Sequence, residues 1–180
     1  MRTFAEDMQV ALDYHGHICS GIVLGIRMSR LALERLKIDN PLEYRDLIVY
    51  VEVDRCLSDA IYAVTGCTLG KRRMKWVDHG KMAATFYDLA TKQGVRVAVR
   101  ASDFPPPGKD AVSFWNNLSD EEVFTVQRVS LDIPPEDLPG PPLRKAKCGN
   151  CGEHIMDGRE KEVDGRVLCR ACAGAAYYKI

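Results

Sequence analysis

Leu47-Ile48-Val49-Tyr50-Val51-Glu52-Val53-Asp54-Arg55-Cys56 is the stretch on which the fold turns. Its first seven residues are rich in β-branched side chains and predict a strand over 47–53. Asp54-Arg55-Cys56 ends the strand, and Leu57 to Val64 predicts a helix stopped by Thr65-Gly66. Cys56 thus falls at a strand end and a helix start, where functional residues concentrate in chains that alternate the two elements. A small buried hydrophobe is the plain alternative for it.

Upstream, Thr3 with Glu6 three residues on is a capping box for a first helix. Phe4, Met8, Ala11, Leu12 and His15 follow at helical spacing, so His15 ends that helix on its core side. Gly16 breaks it. A second helix is expected from about Cys19–Gly21 to about Lys37, with Ile22, Val23, Ile26, Leu33 and Leu36 inward and Arg27, Arg30, Glu34 and Arg35 in water. Gly21 and Gly25 are poor helix formers and on one face permit close approach of another backbone.

Downstream, Gly66-Cys67-Thr68-Leu69-Gly70-Lys71 has only three residues between its glycines and Arg72 where a phosphate loop needs Ser or Thr, so it is not one. Lys71-Arg72-Arg73-Lys75 reads as a solvated basic loop, with binding of an anionic substrate as the alternative. Strands are expected at 74–77, 82–88 and 95–100, with a turn at Asp78-His79-Gly80-Lys81 carrying a solvated His79. Phe104-Pro105-Pro106-Pro107-Gly108 is an extended loop. A helix over 110–118, a short capped helix from Ser119 and an edge strand over 124–133 follow.

Five of the nine prolines lie between Ile133 and Pro142. This divides the chain into a core domain over 1–132, a semi-rigid spacer over 133–147 and a small domain over 148–180. The last contains Cys148-Gly149-Asn150-Cys151 and Cys169-Arg170-Ala171-Cys172, a C-x2-C-x17-C-x2-C pattern. Each pair offers two thiolates to one ion, and Val163-Asp164-Gly165-Arg166 is a hairpin turn that folds the pairs together. Four thiolates close the shell of a structural Zn²⁺, which supplies stability that so short a segment cannot draw from a core. A zinc-ribbon or treble-clef-like unit is expected, with a terminal helix over 173–178 and Tyr177 and Tyr178 as docking aromatics.

Lysine plus arginine equals aspartate plus glutamate at 25 each, so no global charge draws the chain to nucleic acid or membrane. Residues 143–180 carry eight basic and five acidic side chains, a formal +3 that a thiolate-bound zinc lowers to about +1. Nucleic acid is therefore a weak expectation for this tail. The first residues are acidic and amphipathic, unlike a signal peptide, and no apolar run reaches a membrane span. The seven cysteines fit cytoplasmic use in metal binding and reactivity.

Of the remaining cysteines, Cys19 lies in His15-Gly16-His17-Ile18-Cys19-Ser20-Gly21, which reads as the first half of a site whose other half lies near Cys56 and Cys67. Cys19 lies at a helix start, where the positive dipole end favours a thiolate. His17, Cys19 and Cys56 would give a metal three protein ligands and an open position. Nitrogen and sulfur donors suit Zn, Ni or Fe. Cys19 and Cys56 are the candidate reactive thiols, with Cys67 and Lys71 lining the same cleft. Packed cysteines and a satisfied core histidine account equally well for the spacing alone.

Tyr14 to Met28, Cys56-Leu57-Ser58-Asp59-Ala60-Ile61, Gly66 to Lys71, and Gly80-Lys81 with Ala84-Thr85-Phe86 carry a family resemblance over nearly the whole chain. Together they resemble the FmdE family, named for the FmdE component of formylmethanofuran dehydrogenase. Ser20 stands where that family usually has Pro. The resemblance implies an α+β core of helices packed on a mixed or antiparallel sheet. It also implies a homodimer and a metal-bearing site built from the His-Gly-His-x-Cys and later Cys motifs. It places the protein in redox or one-carbon metabolism, as a possible component or relative of an oxidoreductase, with the other proteins of a redox complex as partners. Nothing in the chain holds a pterin or spaces cysteines for a ferredoxin cluster. The alternative is a non-enzymatic accessory or regulatory protein that binds a protein or nucleic acid through its zinc ribbon.

Overall fold

The computed structural model describes residues 1–100, 104–106 and 109–179. The loop expected over 104–108 lies partly outside the described residues. The chain divides into two compact units, Met1–Leu131 and Asp132–Ile180.

In the first unit, α1 (Phe4–His15), α2 (Ser20–Leu36) and α3 (Cys56–Thr65) pack on a five-stranded sheet. The strands are β1 (Leu47–Val51), β2 (Met74–Trp76), β3 (Ala83–Asp88), β4 (Gln93–Val99) and β5 (Phe124–Val129), in the order β2-β1-β3-β4-β5. Only β1 and β2 run parallel; every other neighbouring pair is antiparallel. A parallel pair needs a crossover, and α3 supplies it. The fold is mixed α+β, and β5 forms an edge as its half-polar sequence implies.

Alternation in the strands decides which face receives the helices. Val49, Val51, Ala84, Phe86, Val95 and Val97 join Ile22, Ile26, Leu33, Leu57 and Ile61 in one core. On the other face the register sets Lys75, Tyr50, Thr85, Arg96 and Gln127 in one row. Beside this row Arg96 grips Glu52 with two hydrogen bonds of 2.6 and 2.8 Å.

The α1 capping box forms: the Glu6 amide donates to the Thr3 hydroxyl at 3.3 Å, and the Thr3 amide donates to the Glu6 carboxylate at 2.7 Å. Gly21 and Gly25 do bring α2 against α3. A Cβ on Gly25 would stand 2.6 Å from Ala60 Cβ and 2.9 Å from the Leu57 carbonyl oxygen. Helix α4 (Ala111–Asn116) and the capped turn α5 (Asp120–Val123) lead into β5.

Several arginines depart from expectation. Arg27 does not face water: it donates to the Trp115 and Leu118 carbonyls and pairs with Asp120. Arg30 pairs with buried Asp7 at 2.8 Å. Arg73, expected in a solvated loop, is buried and donates to the Tyr44 carbonyl at 2.7 Å and the Gly66 carbonyl at 3.4 Å. All three guanidinium groups donate to backbone carbonyls, Arg30 to that of Arg2, a role that charge alone does not reveal.

In the second unit, β6 (Lys145–Lys147) pairs with β7 (His154–Met156), and β8 (Lys161–Val163) with β9 (Arg166–Leu168). Residues 145–147, expected as the end of the spacer, are therefore a strand. Asp164 and Gly165 both have positive φ, at 49° and 71°, the requirement of a two-residue hairpin turn. The expected terminal helix over 173–178 is instead an irregular helical turn at Ala171–Ala175, broken by Gly174 at φ 95°. No helix among the described residues is long and apolar enough to cross a membrane.

Candidate metal centre

Gly16 adopts φ 89°, ends α1 and reverses the chain. The reversal sets the His15 and His17 rings 4.6 Å apart, centre to centre. Two residues after His17, Cys19 caps α2 in an extended conformation, with no side-chain hydrogen bond of its own to the helix. One donor atom from each of His15, His17 and Cys19 lies within 4.8 Å of the other two.

His15 is held from behind. Its Nδ1 lies 2.8 Å from Oδ2 of Asp59, in the first turn of α3. The opposite nitrogen, Nε2, is buried without a hydrogen-bond partner among the described residues. A carboxylate fixes the tautomer in this arrangement, so that Nε2 presents a lone pair. An unpartnered buried acceptor costs stability unless something binds it, and two imidazoles with a thiol are a donor set that fits a transition-metal ion.

Cys56, expected as a third ligand, is not in that group of three; His15 takes the place. Cys56 is the first residue of α3 and is packed beside Cys19 through Gly21. A Cβ on Gly21 would stand 2.9 Å from Cys56 Cβ and 3.7 Å from Cys19 Sγ. Burial, followed by the hydrogen bond and charge of Cys19, pushes the Cys56 thiol above its usual range.

Cys67 and Lys71 do not line this cleft. Cys67 is fully buried, with Sγ 3.6 Å from the Leu47 carbonyl oxygen, and burial raises its thiol. It follows the far end of α3, a helix of 10 residues and so roughly 15 Å from the turn holding Cys56 and Asp59. Lys71 is exposed on the loop beyond it. His79 is exposed on its turn, with Nδ1 3.4 Å from Glu52.

Sequence spacing sets His15 aside because it ends a helix on the core side. That location is what allows Asp59 to orient it. The Cys56-x-x-Asp59 spacing, one helical turn on a single face, is the signal that could have found Asp59.

In the second unit the sulfurs of Cys148, Cys151, Cys169 and Cys172 lie within 4.8 Å of one another. Amides of Cys169 and Cys172 donate to Cys148 Sγ at 3.3 Å and Cys169 Sγ at 3.4 Å, and Asn150 Nδ2 donates to Cys172 Sγ at 3.3 Å. Backbone amides of Cys169, Cys151 and Asn150 bring the Cys148 thiol down to about 6. The Glu153 amide lowers Cys151, but burial and the neighbouring sulfurs drive it up to about 12. Four sulfurs so close cannot all ionise without a cation, and Zn²⁺ fits the donor set.

Residues 141–178 match the prokaryotic dksA/traR C4-type zinc finger. The protein named "Probable S-adenosyl-L-methionine-binding protein" of Archaeoglobus fulgidus is 32% identical over 195 aligned positions, covering 93% of this chain and 52% of that one. The chain thus spans about half the length of this curated relative. The fold is shared with the crystal structure of an FmdE-like protein, of the tungsten formylmethanofuran dehydrogenase type, from Syntrophus aciditrophicus. The TM-score is 0.61 at 23% identity, over 99% of this chain and 96% of that one. Residues 14–132, the segment that bears the His-Gly-His-x-Cys turn and Asp59, match the family described as "FmdE, Molybdenum formylmethanofuran dehydrogenase operon". The chain is a metal-binding protein of the FmdE family that carries a C4 zinc finger after its core domain.

Proposed function

We propose that the protein acts through a second, open metal site held by His15, His17 and Cys19, in redox or one-carbon metabolism of the formylmethanofuran type. The carrying observation is the His15 ring: Asp59 holds Nδ1, while buried Nε2 has no partner among the described residues. Three protein donors leave a coordination position for water or a small oxygen-containing substrate. Zn, Ni and Fe all suit two imidazoles and a thiolate, and a bound ion would supply Lewis acidity there. His15 and His17 would hold the ion as neutral ligands, Asp59 would keep the His15 proton on Nδ1, and Cys19 would contribute negative charge.

Elemental analysis of the full chain tests this. Two metal equivalents are expected for wild type and one for His15→Ala and Cys19→Ser. One equivalent in all three overturns the site. Titration with S-adenosyl-L-methionine, the ligand in the name of the A. fulgidus relative, tests whether that property accompanies the shared half.

A second reading makes the zinc finger a docking element, since Tyr177 is 98% exposed and Met156 and Val167 are also open on this unit. Salt-dependent binding of a protein or nucleic acid, lost on removal of 143–180, supports it; no binding at low salt removes it.

A further inference from the structure

Cys56 remains outside the three-donor group, yet the fold places it beside Cys19. The two thiols stand at the starts of different helices and meet across Gly21, where even a Cβ would come within 2.9 Å of Cys56 Cβ. Both cysteines are partly exposed, whereas Cys67, the other cysteine of the core unit, is fully buried. Cys19 is thus shared between two partners, the His15 and His17 donors on one side and the Cys56 thiol on the other. Cys56 Cβ and Cys19 Sγ both lie within 4 Å of one point beside Gly21, and each side chain stands at a helix start, where rotation about its own Cα–Cβ bond can turn the sulfur toward the other.

We infer that Cys19 and Cys56 form a reversible dithiol–disulfide couple that withdraws Cys19 from the metal site on oxidation. This rests on the metal reading above. The oxidant is a small disulfide of the glutathione class. One protein thiol loses its proton and attacks the reagent's S–S bond, forming a mixed disulfide and expelling one small thiolate. The second protein thiol loses its proton, attacks the protein sulfur of the mixed disulfide and expels the other small thiolate. Two protein thiols are oxidised, one small disulfide is reduced to two thiols, and the two protons pass to the expelled thiolates. When a metal is bound, Cys19 is already a thiolate. The ion would then be released as the S–S bond forms, the protein would supply one proton, and the second expelled thiolate would take its proton from water.

The test treats the full chain with oxidised glutathione, both metal-loaded and metal-free. Linked peptides are identified by mass spectrometry, and metal per chain is measured before and after treatment. Expected are a Cys19–Cys56 linkage and the loss of one more metal equivalent from wild type than from Cys56→Ser and Cys56→Ala. The finger cysteines react equally in all three proteins, so this difference isolates the ion near Cys19. Dithiothreitol should restore the lost binding. Absence of the linkage in both the loaded and metal-free chain overturns the couple. So does loss of an equivalent in both Cys56 variants before any oxidant, since Cys56 is then a ligand. A wild-type chain with one equivalent before oxidation counts against the metal reading instead, and the linkage in the metal-free chain still decides the couple.

Discussion

Asp59 Oδ2 stands 2.8 Å from His15 Nδ1 and so joins the first turn of α3 to the last residue of α1. The contact spans 44 residues of sequence and occupies Nδ1, leaving the opposite nitrogen, Nε2, to a ligand. Loss of such a carboxylate weakens metal affinity by about 10–100-fold. Asp59→Asn is expected to show that loss at the core site in competition with a chromophoric chelator, while the C4 site keeps its ion. Unchanged affinity at both sites would refute the role of Asp59.

Gly25 is expected to resist even Ala. A helix gains about 1 kcal/mol from Gly→Ala where there is room. Here the new methyl would stand 2.6 Å from Ala60 Cβ and 2.9 Å from the Leu57 carbonyl. Overpacking costs about 1–3 kcal/mol, so the clash outweighs the propensity gain. Urea unfolding of Gly25→Ala should give a lower midpoint than wild type with the slope unchanged.

Glu52 is buried, and its hydrogen bonds from Arg96, followed by the charges of Arg96 and His79, outweigh burial and lower its pKa below 4.5. The stabilisation is present above the unfolded-state value of 4.5 and is lost as pH falls through the lower folded-state value. Glu52→Gln removes a charge-assisted hydrogen-bond pair with the partly exposed Arg96, which keeps its bond to Gln127, and is expected to cost about 1.5 kcal/mol at pH 7. It should also flatten the fall in stability below pH ~4.5. Chemical unfolding of both proteins between pH 3 and 7 measures both effects.

The C4 unit is expected to depend on its ion. Among the described residues the cluster around Cys148 contains only Ile155 and Leu168 as further buried apolar residues, too small a core to hold the strands. Removal of zinc should abolish amide protection over 145–172 in hydrogen exchange, and Cys169→Ser should reproduce the effect. Protection in β1, β3 and β4 should persist, because their core is built within the first unit.

Local chemistry made much of the molecule legible in advance. The β-branched run before Cys56 specified β1, Thr3 and Glu6 specified the start of α1, and the paired C-x-x-C turns specified the zinc unit. Each signal lies within a few residues of its consequence. The glycines at 21 and 25 also announced a close helix contact, since nothing else justifies them in a helix interior. The final turn was not legible, because Gly174 ends the helix before Tyr177.

Tertiary structure decided the composition of the candidate site. By spacing, Cys56 is a ligand beside Cys19 and Cys67 lines the same cleft, but α3 separates the two by its length and leaves only Cys56 beside Cys19. His15 looked like a core residue until the chain reversal at Gly16 and the approach of Asp59 gave its two nitrogens different surroundings. The sequence determined which donors were available and which elements carried them. Their selection followed from the packing of α3 against α1 and α2, a long-range relationship that local propensity does not encode.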